Sequence, residues 1–265
     1  MSPKPFICAL AIALVCLTAA AQDLTVDQII AKNIEAHGGL EKIKAQKTLR
    51  FSGRMTLGPG LEAPAVMEQK RPGSFRLEIT LQGLTAVQAY DGQTGWQINP
   101  FAGKKDPELM GEDDLKEAQE QADIDGPLVD YKAKGNKVEL VGREKVEGSD
   151  TYKLKVTLKN GEVRYFYLDA DTFLEIKEES KRMIRGTEVE GETTFGDYKE
   201  EGGVMMPHSF ESGPKGSTQK QHITIEKVEI NPPIEDARFK LPAAAKPADK
   251  KPEEKTPATK PPVNR

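Results

Sequence analysis

From residue 151 to residue 169 the chain reads TYKLKVTLKNGEVRYFYLD. Tyr152, Leu154, Val156 and Leu158 alternate with Lys153, Lys155 and Thr157. A period of two is that of a β-strand with one apolar and one wet face. Asn160-Gly161 then reads as a type I′ hairpin turn, whose twist suits flanking strands. Val163, Tyr165 and Tyr167 follow on the return strand. This segment alone points to an antiparallel sheet with short turns.

Working outward, the same period recurs. Leu49, Phe51, Met55 and Leu57 alternate with Arg50, Ser52, Arg54 and Thr56, and Phe75, Leu77 and Ile79 with Arg76, Glu78 and Thr80. Residues 85–90 form a further strand, Asp91-Gly92 turns it, and Trp96 and Ile98 sit on the return. Val138 and Leu140 precede the quoted hairpin. Asp169-Ala170-Asp171 turns into a strand at 173–177, and more strands are expected near 188–198, 204–211 and 219–230. The count is about ten or eleven strands, with no internal repeat.

Helical signals are few. Thr25 and Gln28 form a T-x-x-Q capping box, and Val26, Ile29, Ile30 and Ile34 share one helical face. Gly38-Gly39 supplies a left-handed stop, after which Leu40, Ile43 and Ala45 fit a short second helix. An acidic helical insert runs over 111–122, with Leu115 and either Ala118 or Ala122 forming one face. The expected fold is mainly β with a few helices. A one-sided sheet must have its apolar face covered. With so little helix it does this by curling round that face, the N-terminal helix and the insert covering an apolar concavity.

The two ends read differently. Lys4, an apolar run over 6–18 and Ala19-Ala20-Ala21 fit an export signal cleaved after Ala21. The tail over 246–265 is rich in Lys and Pro, with too few apolar residues to offset its ordering entropy. The organisation is therefore a signal peptide at 1–21, one sheet-rich domain at 22–245 and a disordered tail at 246–265. The 265 residues carry 38 Lys+Arg against 42 Asp+Glu, a formal charge of −4, so bulk charge makes no case for nucleic acid. The two cysteines, Cys8 and Cys16, lie in the signal, which leaves the domain without a disulfide or a thiolate site.

The chemical inventory argues against catalysis. His37 stands beside a helix C-cap, His208 at a strand start and His222 within a strand, none with metal-ligand spacing to another His or Cys. Asp169 and Asp171 read as turn formers. Glu188, Glu190 and Glu192 read as a solvated strand face paired with lysines. No cofactor and no metal are expected.

Two segments carry more than architecture. Lys70-Arg71-Pro72-Gly73-Ser74-Phe75-Arg76 reads K-R-P-x-x-F-R, and residues 91–101 read D-G-x-T-x-W-x-x-N-P-F. Together they resemble the LolA-type outer-membrane lipoprotein carriers and their lipoprotein-sorting relatives. Asp197-Tyr198 through Pro207 resembles a later strand pair of these relatives, and Ala237-Arg238-Phe239 their closing segment, so the resemblance spans about 25–242. It implies an unclosed antiparallel barrel with helices across its opening, whose apolar concavity holds the acyl chains of a lipoprotein in the periplasm. It also implies a lid-latch role for Arg71, whose fork of donors can bind several carbonyls at once. The alternating pattern predicts that Phe51, Met55, Phe75, Leu77, Trp96 and Ile98 share the cavity wall.

The expected function is a monomeric, non-enzymatic periplasmic carrier for lipoprotein acyl chains or a similar lipid. Its further partners would be an inner-membrane donor and an outer-membrane acceptor. The alternative is an envelope sensor or adaptor on the same fold that binds a lipid or a protein for signalling.

Overall fold

The computed structural model describes residues 24–58, 60–184 and 186–242. The signal segment 1–21 and the tail 246–265 lie outside the described residues. Helices α1 (Val26–Ala36) and α2 (Leu40–Ala45) come first. Then follow β1 (Thr48–Gly58), β2 (Leu61–Lys70), β3 (Ser74–Leu81), β4 (Leu84–Tyr90), β5 (Gly95–Asn99) and β6 (Lys104–Leu109). Helices α3 (Glu112–Gln121) and α4 (Tyr131–Lys134) interrupt the sheet. It resumes with β7 (Lys137–Val146), β8 (Ser149–Thr157), β9 (Val163–Asp169), β10 (Glu175–Ile184) and β11 (Thr187–Gly196). Last come β12 (Lys199–Glu201), β13 (Val204–Met206), β14 (Ser209–Pro214) and β15 (Gln221–Ile230).

Thirteen strands form one antiparallel sheet in the order β6-β5-β4-β3-β2-β1-β15-β14-β11-β10-β9-β8-β7, and β12-β13 form a separate ribbon. Strands β6 and β7 are its two edges and do not pair, so the half-barrel stays open. The strand count exceeds the ten or eleven expected. Strand β2 carries Pro64 between Ala63 and Ala65 in an unbroken small and apolar run to Met67, and β6 reads KKDPEL, so neither shows a clean alternation. Proline is tolerated at the edge that β6 occupies because no ladder donor is needed there. The stretch at 204–211 divides into β13 and β14.

Local signals explain the helices. Thr25 Oγ1 accepts from the Gln28 amide at 3.3 Å and Gln28 Oε1 from the Thr25 amide at 2.9 Å, which completes the capping box. Gly38 follows α1 with φ +105°, and a Cβ there would lie 2.1 Å from the Gly203 carbonyl oxygen. Only glycine lets the chain turn at that point against the β12-β13 ribbon. Ile29 and Ile30 bury under α1 with Leu128, Leu154, Val156, Phe166 and Leu168.

Two registers differ from the sequence reading. The turn after β8 is not type I′: Gly161 has φ +90°, while Asn160 keeps a negative φ. Type I′ requires positive φ at both central residues. Thr157 therefore pairs with Val163 and Leu154 with Phe166. Phe166, Leu168 and Arg164 take the concave face, while Tyr165 and Tyr167 face outward beside Lys153. Likewise Tyr90 pairs with Gly95 and Ala89 with Trp96. Since Tyr90 stands opposite Phe75, Gly95 is the concave residue and Trp96 and Ile98 point the other way.

Trp96 and Ile98 thus leave the expected cavity set. They pack with Val87 and Ala89 on the outer face, beneath the segment after β15. Trp96 Nε1 donates to the Phe239 carbonyl at 2.8 Å, and Arg76 lies 5.5 Å from the indole centre. Arg238 Nε donates to buried Glu68 at 2.6 Å, and Arg76 donates to the Arg238 carbonyl at 2.7 Å. The closing segment is a clamp over the convex side of the sheet.

A second polar tie holds α1. His37 Nδ1 donates to the Met205 carbonyl and Nε2 to Glu175 Oε2, both at 2.7 Å. Both partners only accept, so the ring carries both protons. Asn33 Nδ2 donates to Glu175 Oε1 at 2.9 Å. Burial lowers the His37 pKa, but the Glu175 charge and hydrogen bond outweigh it and raise the value above 6.5. Burial raises the Glu175 pKa, but His37 and Asn33 outweigh it and hold it below 4.5.

Two outcomes are expected. Phe239→Ala should cost about 3–5 kcal/mol, the usual cost of emptying a buried aromatic site. It should also red-shift Trp96, the single tryptophan, and unchanged emission in the folded variant would contradict the clamp. The second outcome concerns pH. The His37 contribution is complete below pH 6.5 and is lost as pH rises through its raised folded value. The Glu175 contribution is complete above pH 4.5 and is lost as pH falls through its lowered value. Melting temperature should therefore fall as pH rises from 6.5, and His37→Gln should flatten that decline in thermal melts.

Candidate functional site

The concave face encloses a cavity of about 1730 Å³. Small-molecule sites occupy roughly 300–1,000 Å³, so this one suits a longer or multi-chain occupant. Alternation on neighbouring strands builds its apolar side. Phe51 stands opposite Met67, Met67 opposite Leu77, and Ala65 opposite Ile79. Four of the six expected wall residues, Phe51, Met55, Phe75 and Leu77, line it together. Ile223 and Ile225 from β15 and Phe195 and Phe210 from β11 and β14 continue the wall.

Helix α3 and the segment after it lie across this face. Leu115, Ala118 and Ala122 pack on Phe75, Tyr90, Met67 and Leu77. A Cβ at Gly95 would fall 2.7 Å from Leu115 and 2.8 Å from the Met110 sulfur, so the glycine makes room for the cover. Gln69 Nε2 donates to the Gln121 carbonyl at 2.5 Å and secures the helix end.

Arg71 stands where α2, the β2-β3 turn and the segment after α3 meet. Its Nε donates to the Gln46 carbonyl at 2.6 Å and Nη2 to the Ile43 carbonyl at 3.1 Å. Its Nη1 and Nη2 also grip Asp125 Oδ2 and Oδ1 at 2.9 and 2.5 Å. Such a forked pair combines charge with fixed geometry. Lys44 reaches Asp125 at 2.6 Å and Asp130 at 2.7 Å. Burial raises the Asp125 pKa, but Arg71 and Lys44 prevail and hold it at about 2. The carboxylate is 5% exposed, so its two cations are its main stabilisation. Asp125 escaped the sequence reading because nothing in its local pattern marks it. Only the fold brings it to Arg71.

The far wall is polar. Arg164, Glu178, Ser180 and Arg182 line the cavity on β9 and β10. Arg164 bonds Glu178 and Glu120, and Arg182 lies 3.3 Å from Glu117 and 3.5 Å from Glu120. These arginines were not singled out by sequence, because their facing depends on the β8-β9 register. The other candidates resolve into structural contacts. Asp169 Oδ1 accepts from the Asp171 and Thr172 amides at 3.1 and 2.8 Å, as a turn former does. Glu190 pairs with Lys181 and Lys215, and Glu192 with Lys177 and Lys220. Buried His208 contacts the Met206 carbonyl and Glu201.

No family model matches the chain, and no curated protein matches it either. Solved structures do resemble it. A LolA superfamily protein from Nitrosomonas europaea is 13% identical, with a TM-score of 0.56 over 82% of this chain and 98% of that one. A DUF1329 family protein from Desulfovibrio piger is 15% identical, with a TM-score of 0.48 over 81% of this chain and 97% of that one. An outer membrane lipoprotein-sorting protein domain from Vibrio parahaemolyticus is 14% identical, with a TM-score of 0.47 over 80% and 94%. The open sheet, the helices across its concave face and the likeness to the Nitrosomonas protein together give this chain a LolA-like fold.

Proposed function

We propose that this protein is a non-enzymatic periplasmic carrier that shelters acyl chains, those of lipoproteins or of a similar lipid, in its concavity. It works as a monomer, exported by the segment at 1–21, between a donor at the inner membrane and an acceptor at the outer one. The observation that carries this reading is the large covered cavity, with an apolar wall of Phe51, Met55, Phe75 and Leu77 under helices fastened at their edge by Arg71. Each buried methylene contributes about 0.8 kcal/mol, so acyl chains are held there without covalent chemistry. The ionisable groups around the cavity pair with one another, as a wall needs and a nucleophile–base pair does not.

Release requires that closing be favourable. Arg71 supplies that bias by tying α2 and the segment around Asp125 to the sheet. An open variant accepts cargo readily but lacks the closing energy that returns it to an acceptor.

The test is retention of a triacylated lipopeptide by the delipidated protein on gel filtration. Wild type should carry it, and Leu77→Glu should not, because a carboxylate in the wall is costly to desolvate. Failure of wild type to retain any lipopeptide, with a stable membrane-protein complex instead, would favour the sensor reading. Arg71→Leu should load lipopeptide and pass it poorly to outer-membrane vesicles. Two or three bonds of about 0.5–1.5 kcal/mol each shift the lid equilibrium by tens-fold. Arg71→Lys should recover part of the transfer, since it keeps the charge but not the fork. Equal transfer rates for wild type and Arg71→Leu would remove the latch role.

A further inference from the structure

The polar wall poses a question that the acyl-chain reading leaves unanswered. Arg164 and Arg182 stand on adjacent strands beside Glu178 and Ser180, across the cavity from the apolar wall, with side chains 14% and 22% exposed. Burying guanidinium groups is costly unless they are fully paired. These are not: Nε of each is buried without a hydrogen-bond partner. Two of the carboxylates that do reach them come from α3. Glu120 sets one oxygen between both guanidiniums, bonded to Arg164 and 3.5 Å from Arg182, while Glu117 reaches Arg182 at 3.3 Å.

The apolar hold on helix α3 is small. Its N-cap, Gly111, makes no side-chain capping bond, and its apolar grip is Leu115 with two alanines, Ala118 and Ala122. Alanine side chains bury little surface, so the grip is weak beside that of α1. Glu178 approaches the same pair from β10 and Glu162 from the turn before β9. With α3 in place the arginines face more carboxylates than their charge balances. Exchanging Glu117 and Glu120 for one singly charged anion reduces that surplus and returns both glutamates to water.

We infer that Arg164 and Arg182 form a subsite for the anionic headgroup of a lipid, a phosphodiester or a carboxylate, which Glu117 and Glu120 of α3 occupy in its place when the cavity is empty. The inference rests on the acyl-chain reading and deepens it by choosing a lipid class. The acyl anchor of a lipoprotein is uncharged, whereas this slot fits a charged amphiphile whose chains lie along β1 to β3. Loading then displaces α3, so the headgroup and the cover compete for one pair of arginines.

The test uses the delipidated full-length mature protein preloaded with the apolar dye N-phenyl-1-naphthylamine. Oleoyl-lysophosphatidylglycerol and monooleoylglycerol, alike in chain and different in charge, are titrated to displace it. Wild type should prefer the anionic lipid by about tenfold or more, the scale of one or two charge-assisted hydrogen bonds. In R164Q/R182Q the ratio of the two affinities should fall to near one. Glu120→Gln should raise affinity for the anionic lipid several-fold, since the competitor loses its charge. An equal affinity of wild type for both lipids, or a preference that survives in R164Q/R182Q, would overturn the subsite and leave the acyl-chain reading standing. Failure of both lipids to displace the dye would overturn that reading and the subsite with it. If inorganic phosphate competes as well as the lysolipid, the slot is a free-anion site and the headgroup assignment is wrong. If R164Q/R182Q does not fold, the wild-type ratio and the response of Glu120→Gln decide.

Discussion

A sheet of thirteen antiparallel strands whose edges never meet has an apolar face that nothing in the sheet itself covers. That constraint governs the rest of the molecule. A closed barrel buries its lining by construction, whereas an open one needs a cover from outside the sheet. Here the cover is thin: α1, α2, α3 and the segment to α4. Only α1 brings a row of isoleucines to the core. The others rest lightly and are fastened at their margins by charge.

The fastening is concentrated at a few carboxylates. Asp125 is gripped by Arg71 and Lys44, Glu175 by His37 and Asn33, and Glu120 by Arg164. Each joins a covering element to the sheet or to another cover. Charge suits this task because a salt-bridged contact can separate into water, where both partners are solvated, while an apolar contact of equal strength opposes opening with exposed surface. The convex side is built the other way. Trp96 and Phe239 are buried there under a clamp that also pins Glu68 between Arg50 and Arg238. The convex face is held by packed aromatics, and the covers of the concave face are fastened at their margins by ion pairs.

The period-two pattern marks the sheet, but it put Trp96 and Ile98 on the cavity wall, whereas Trp96 lies under the clamp. Tyr165 and Tyr167 face outward as well. The turn, not the strand, determines the outcome. A one-residue change of register moves every side chain to the opposite face. Bulky side chains serve either face equally well, so size alone does not reveal the side. The same shift hid Arg164, which sequence parity puts in water and the actual register puts in the cavity.

The sequence by itself determined the parts that depend on neighbours a few residues apart. These are the capping box at Thr25 and Gln28, the glycine stop at Gly38, the alternating strands, the antiparallel class and the acidic helix over 112–121. It also put Arg71 forward, through its motif. Tertiary structure alone decided which face each strand shows, and therefore which residues line the cavity. It alone brought Asp125 to Arg71, 54 positions away, and Glu175 to His37, 138 positions away. Those partners carry no local signature, because a carboxylate in a polar stretch is ordinary until the fold removes it from water and leaves a distant cation as its stabilising partner.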